Sequence, residues 1–116
     1  MSPPKIDGYR FGTITVDGTT YGKDLIIHED GVIPNWRRLE GHKLNIDDLD
    51  KVMPLKPKVL LVGCGTPGLL VVPQATEQWL TDRGVEIVIC STDVAWERYN
   101  EMASKGGVVA AFHLTC

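Results

Sequence analysis

Three continuous apolar runs, KVLLVG (58–63), VEIVIC (85–90) and VVAAFHL (108–114), are separated by stretches of helical spacing. That alternation confines the second half of the chain to an α/β arrangement. Runs that are apolar at nearly every position suit strands buried on both faces, as in a parallel sheet. QATEQWLTDRG, between the first two runs, opens after Pro73 and stops at Gly84, with Ala75, Trp79 and Leu80 expected on its buried side. STDVAWERYNEMASKGG, between the last two, is the clearest helix of the chain. Val94, Ala95, Tyr99, Met102 and Ala103 form its apolar stripe, Ser91 or Thr92 its cap and Gly106 its stop.

The first half carries strand signals instead. TITVDGTTY alternates Ile14 and Val16 with polar neighbours and turns at Asp17-Gly18, a pair that tolerates positive φ in a two-residue hairpin. DLIIH (24–28) reads as a second short strand closed by Asp30-Gly31, and NWRRL around Trp36 as a third. A short helix is expected at Asn45–Val52, with Asn45 as N-cap, Ile46, Leu49 and Val52 on one face, and Pro54 as its end. The expected fold is a single α/β domain of three layers, spanning 1–116, with a central mixed, partly parallel sheet and an N-terminal antiparallel β-hairpin region. Residues 1–53 make the hairpin-rich part with its short helix, and 58–116 the βαβαβ part.

Composition narrows the function classes. At 116 residues, 43% hydrophobic and 23% charged, the chain has room for one ordinary globular core, but not for a two-halved dinucleotide fold with a catalytic domain. A net charge of -3 gives no footprint for nucleic acid, and the small basic pair Arg37-Arg38 reads as a solvated edge. No apolar run approaches a membrane span, and MSPPKIDGYR has no signal core. Cys64, Cys90 and Cys116 form an odd set without C-x-x-C spacing, so a reducing, cytoplasmic location is expected.

LVGCGTPG (61–68) satisfies G-x-G-x-x-G through Gly63, Gly65 and Gly68 and follows a strand, as a dinucleotide loop would. Three features oppose that reading. Gly68 leads into the β-like run Leu69–Val72 rather than a helix; Pro67 removes one backbone donor from the loop; and the next strand ends in Cys90-Ser91-Thr92 without a carboxylate. No cofactor is therefore expected. The loop still ends a strand of an open sheet, where binding crevices form, and N–H groups at Thr92–Val94 would suit a small anion.

Other residues carry weaker signals. Cys64 and Cys90, at neighbouring strand ends, suit a redox pair, part of a metal site or two small buried residues. His113 and Cys116 are three apart and suit either a Cys-His pair or a histidine capping the last strand. His28 and His42 lack metal-ligand spacing, so no metal is expected. Asp24, opening an apolar strand, suits an acid or base, but a strand-initial Asp more often serves as a turn or cap residue. Asn100 points away from the apolar stripe, towards solvent or a polar contact with a strand-end loop. The hypothetical ligand set is thus Gly63, Cys64, Gly65, Gly68, Thr92, Asn100 and His113, with no catalytic residue assigned.

GYRFGTITVDGTTYGKDLII, Trp36, VLLVGCGTPG, TDVAWERYN and the terminal HLTC together resemble a small α/β domain family of uncharacterised biochemical function. That family includes the adipogenesis-associated domain-containing protein and a mitochondrial assembly factor of respiratory complex I. The resemblance implies a three-layer domain with an added hairpin region and recurrent positions at Gly12, Asp24, Trp36, Gly63, Gly65, Gly68, Thr92, Ala95, Tyr99, Asn100, His113 and Cys116. The family commonly lacks a cysteine at position 64, so Cys64 departs from the pattern. The mitochondrial member carries a targeting sequence, whereas this chain begins almost directly at its first strand; the respiratory role does not carry over. Two functions follow as expectations. The first is a non-enzymatic protein-binding or assembly module with a protein partner or self-association; the second is a small-anion-binding protein or enzyme using the strand-end pocket.

Overall fold

A computed structural model describes residues 2–116. β1 (Ile6–Arg10), β2 (Thr13–Val16) and β3 (Thr19–Tyr21) form a three-stranded antiparallel sheet. Asp17 (φ 47°) and Gly18 (φ 81°) close the β2–β3 hairpin with both residues left-handed, as the Asp-Gly pair predicts.

A second, mixed sheet has the order β5-β4-β8-β6-β7, with β4 (Leu25–His28), β5 (Gly31–Ile33), β6 (Val59–Cys64), β7 (Glu86–Cys90) and β8 (Val108–His113). β6 pairs in parallel with both β7 and β8, and β4 joins β8 antiparallel. The helices α1 (Gln74–Asp82) and α2 (Thr92–Ala103) make the crossovers. The chain steps from β6 outward to β7 and then back past β6 to β8, so two right-handed crossovers put α1 and α2 on opposite faces.

The pleat sorts the apolar runs between these faces. Leu61, Val108, Ala110 and Phe112 pack with Ala95 and Tyr99 of α2 and with Ile6, Ile14 and Val16 of the small sheet. Leu60, Val62, Val109 and Ala111 pack with Leu80 of α1 and with Trp36, Leu44, Leu49 and Val52. The layered α/β class expected from the sequence is the one observed.

Four local expectations are corrected. The strand after Asp30-Gly31 is Gly31–Ile33, and the segment around Trp36 is irregular, because Trp36 is turned into the core and its N–H donates to Asp24 O (2.8 Å). The helix expected at 45–52 is two 3₁₀ turns, Ile46–Leu49 and Met53–Leu55, with Pro54 inside the second, where a missing N–H costs nothing. α1 buries Thr76 and Leu80 while Ala75 is exposed, since the Thr76 hydroxyl donates to Leu44 O (2.9 Å) and sets the rotation of the helix. α2 buries Ala95, Tyr99 and Ala103 of the expected stripe together with Thr92 and packs Met102 against the core, but Val94 faces solvent.

Candidate functional site

The strand order reverses direction at β6, which makes the crevice between the C-terminal ends of β6 and β8 the place where α/β sheets hold ligands. Cys64 and His113 face one another there in register. The crevice is filled by the chain itself. Thr66 N–H donates to Thr115 O (2.9 Å) and Leu69 N–H to Cys116 O (3.0 Å), so the segment after β8 lies in the glycine loop where a phosphate would lie.

The glycines serve that packing. A Cβ at Gly63 would sit 2.6 Å from the Phe112 ring, and one at Gly65 (φ +88°) would collide with Thr115 O and the His113 ring. Gly68 also has φ in the left-handed range, at +117°. The Thr92 hydroxyl joins the loop to the strand: it donates to His113 O (2.6 Å) and accepts from Gly65 N–H (2.8 Å). Thr92 N–H donates to Gly65 O (3.0 Å) and Val94 N–H to Ser91 O (3.0 Å), so these donors are held within the chain.

Beside the loop lies a charged cluster. Asp24, just ahead of β4, accepts from His113 Nδ1–H (2.7 Å) and Arg38 Nη2–H (2.9 Å) at Oδ2, and from Leu114 N–H (2.8 Å) at Oδ1. The short Nδ1–Oδ2 distance places a proton on Nδ1 towards Asp24, and Nε2 lies 3.5 Å from the Thr115 hydroxyl. Arg38 is 4% exposed in its side chain, stacks over Trp36 at 4.7 Å and gives a further Nη2–H to Gly41 O (2.9 Å). Its Nε and Nη1 are buried without a hydrogen-bond partner. The irregular segment carrying it is pinned by the buried Asp48 carboxylate, which accepts from Leu39 N–H (2.9 Å) and Asn45 N–H (2.8 Å).

Of the residues expected at a site, Gly63, Cys64, Gly65, Thr92 and His113 meet at this crevice and Gly68 borders it. Asn100 does not join them. Its amide accepts from Ile6 N–H (2.9 Å) and donates to Ile6 O (2.8 Å), holding β1 against α2. Arg38 is buried in an ion pair rather than solvated, while Arg37 is exposed. Asp24 binds three donors rather than capping a turn, and His113 turns its Nδ1–H to Asp24. The sequence signals for Asp24 and Arg38 were slight: a carboxylate directly before an all-apolar strand, and an arginine two residues after a tryptophan.

Cys64 and Cys90 cannot form a disulfide as they stand. Cys64 faces the α1 side of the sheet and Cys90 the α2 side, so their side chains diverge. Burial pushes the Cys64 thiol up to about 11, with Cys90 adding to the rise and Arg38 opposing it; burial raises Cys90 as well. A thiolate nucleophile at neutral pH is therefore disfavoured at both.

A hydrogen-bonded His-Asp pair resembles the orienting half of a base mechanism, but Gly65, Thr115 and His42 surround the His113 ring. Two adjoining hollows, of about 270 and 460 Å³, lie at the opposite end of the sheet and share Glu29 and Asp30. Among the described residues no helix is long and apolar enough to cross a membrane.

The comparisons agree with the fold. A family described as "Protein of unknown function (DUF498/DUF598)" matches residues 6–114. The conserved hypothetical protein PH1505 from Pyrococcus horikoshii OT3 is 29% identical, with a TM-score of 0.85 over 97% of this chain and 99% of its own. A structure named MT938 is 28% identical, with a TM-score of 0.79 over the same shares. A Bordetella pertussis protein described as a Mth938-like domain is 18% identical, with a TM-score of 0.73 over 96% of this chain and 85% of its own. At that identity the last shows the fold alone.

Proposed function

This chain belongs to the DUF498/DUF598 family of proteins of unknown function, and from that premise we propose that it is a non-enzymatic protein-binding or assembly module of the cytoplasm. The observation that carries the reading is the filled crevice: the loop donors and the His-Asp pair are engaged by the chain's own residues. Beside that crevice three large apolar side chains are exposed among charged ones. Leu39 is 71% exposed, and Leu69 and Val71 are exposed on the segment that pairs with Lys43. Apolar side chains grouped beside a rigid edge suit a protein partner. The resemblance to the adipogenesis-associated protein and to a respiratory-complex assembly factor supports the same class of role.

A photo-crosslinking residue at position 39 or 71, introduced in the native host, is expected to give a discrete protein adduct, which Val71→Asp abolishes for the probe at 39 and Leu39→Asp for the probe at 71. The same probe at Lys56, beside the hollow at the far end of the sheet, is expected to give none. Equal labelling at all three positions would defeat the reading.

One observation favours a second reading, a small-anion-binding protein or enzyme at the strand ends: the buried, unpartnered Nε and Nη1 of Arg38. Its test is a thermal shift with inorganic phosphate or a simple carboxylate that Arg38→Met removes.

A further inference from the structure

The two edges of the five-stranded sheet are unequally protected. β5 has three residues and runs into Pro34, the kind of short, proline-bounded edge that resists pairing. β7 has five residues, EIVIC, with neither proline nor lysine, and its single charge is at one end. Glu86 N–H donates to Lys58 O (3.0 Å), so by strand alternation Glu86, Val88 and Cys90 turn their backbone groups towards β6. Ile87 and Ile89 turn theirs outward. Ile89 is 41% exposed, and Val94 is exposed nearby in the sequence at the start of α2.

We propose that β7 pairs antiparallel with β7 of a second copy about a two-fold axis at Val88, joining two five-stranded sheets into one. In this register Ile87 faces the partner's Ile89, and the outward N–H and C=O groups of both form ladder bonds. Ile87 and Ile89 share the α1 side, so isoleucines meet across the seam there; Val88 meets the partner's Val88 on the α2 side. The pattern is self-complementary, as a two-fold interface requires.

The charges fit the same register. Glu86 falls opposite the partner's Cys90, and the two Glu86 carboxylates sit at opposite ends of the seam. Arg98 lies close enough to Cys90 to oppose the upward push of burial on its thiol. Each Glu86 thereby approaches the end of the seam where the partner's Arg98 contributes positive charge. Among the described residues neither Glu86 nor Arg98 has an ion-pair partner within its own chain.

Sedimentation velocity of the full chain across a broad concentration range is expected to show a monomer–dimer equilibrium. Ile89→Lys is expected to shift it to monomer with the circular dichroism spectrum unchanged. Should Ile89→Lys fold poorly, Ile89→Pro removes one outward N–H while leaving the bonds to β6 in place. Register is read separately: oxidised Glu86→Cys is expected to yield a disulfide-linked dimer through the partner's Cys90, and adding Cys90→Ser is expected to abolish it. A monomer at every concentration, a dimer that both Ile89 variants leave intact, or failure of Glu86→Cys to cross-link would overturn the proposal. None of these results touches the adduct expected at Leu39, so the two surfaces are tested independently.

Discussion

Two polar clusters tie distant parts of the chain together, one on each side of the main sheet. At the start of β1 the contacts are neutral: the Asn100 amide exchanges two hydrogen bonds with the Ile6 backbone, and the Tyr99 hydroxyl donates to Pro4 O (3.0 Å). At the end of β8 the contacts are charged, with Asp24 collecting Arg38, His113 and the Leu114 N–H. The neutral cluster matches its donors to acceptors one for one. The charged cluster meets the Arg38 guanidinium with hydrogen bonds at Nη2 alone and leaves its Nε and Nη1 unpaired. A matched cluster loses a bond when cut, whereas an unmatched one strands a buried charge.

The largest expected effect follows from that asymmetry. Asp24→Ala removes the acceptor of a buried guanidinium and is expected to cost about 3–5 kcal/mol in urea unfolding. Pairing it with Arg38→Met is expected to recover part of the loss; if the double variant is less stable than Asp24→Ala, the account of a stranded charge fails. Gly65→Ala, strained in φ and blocked by Thr115 O, is expected to cost about 1–3 kcal/mol. Its diagnostic is local: amide exchange at Thr66 and Leu69, whose N–H groups hold the tail, is expected to accelerate more than at Ile6. In the neutral cluster Asn100→Ala is expected to cost about 1–2 kcal/mol and Tyr99→Phe about 1 kcal/mol, with β1 amides exchanging faster in both. Loss at Asn100 equal to that at Asp24 would erase the distinction between the clusters.

The smallest effect at neutral pH concerns titration. Burial, with smaller additions from Asp17 and Glu29, pushes the Tyr99 hydroxyl up to about 12, and Cys64 is held near 11. The unfolded chain releases these protons near 10 and 9, before the folded one does. The stability from each is therefore fully present below those values and is lost as pH rises towards 11 and 12. Cys64→Ala is expected to flatten the lower part of that decline in alkaline unfolding curves, and Tyr99→Phe the upper part.

Segments that carry their own period were legible in the sequence. The Asp17-Gly18 hairpin, β4, β6, β7, β8 and both helices each announce themselves through alternation, an apolar run or a cap-to-glycine stripe. The segment from Pro34 to Leu44 has no period, and its path is set by Asp24 and Asp48, which bind it from outside. Arg38 was unreadable for that reason: two adjacent arginines look solvated until a distant carboxylate is placed beside one of them. The glycine loop was half legible. Pro67 and the late start of α1 exclude a nucleotide loop, but the partner that fills it, Thr115–Cys116, lies far along the chain and has no local signature.

β8 lies between β4 and β6, at the middle of the main sheet, and follows every other strand of that sheet in chain order. During synthesis, therefore, β4 and the β6–β7 pair leave the ribosome with facing edges and nothing to join them. Sheet closure, burial of both apolar clusters and assembly of the Asp24 cluster all wait for the same six residues. The topology thus keeps the main sheet from closing before its last strand in the chain is made, and a nascent chain ending before Val108 exposes apolar strand edges.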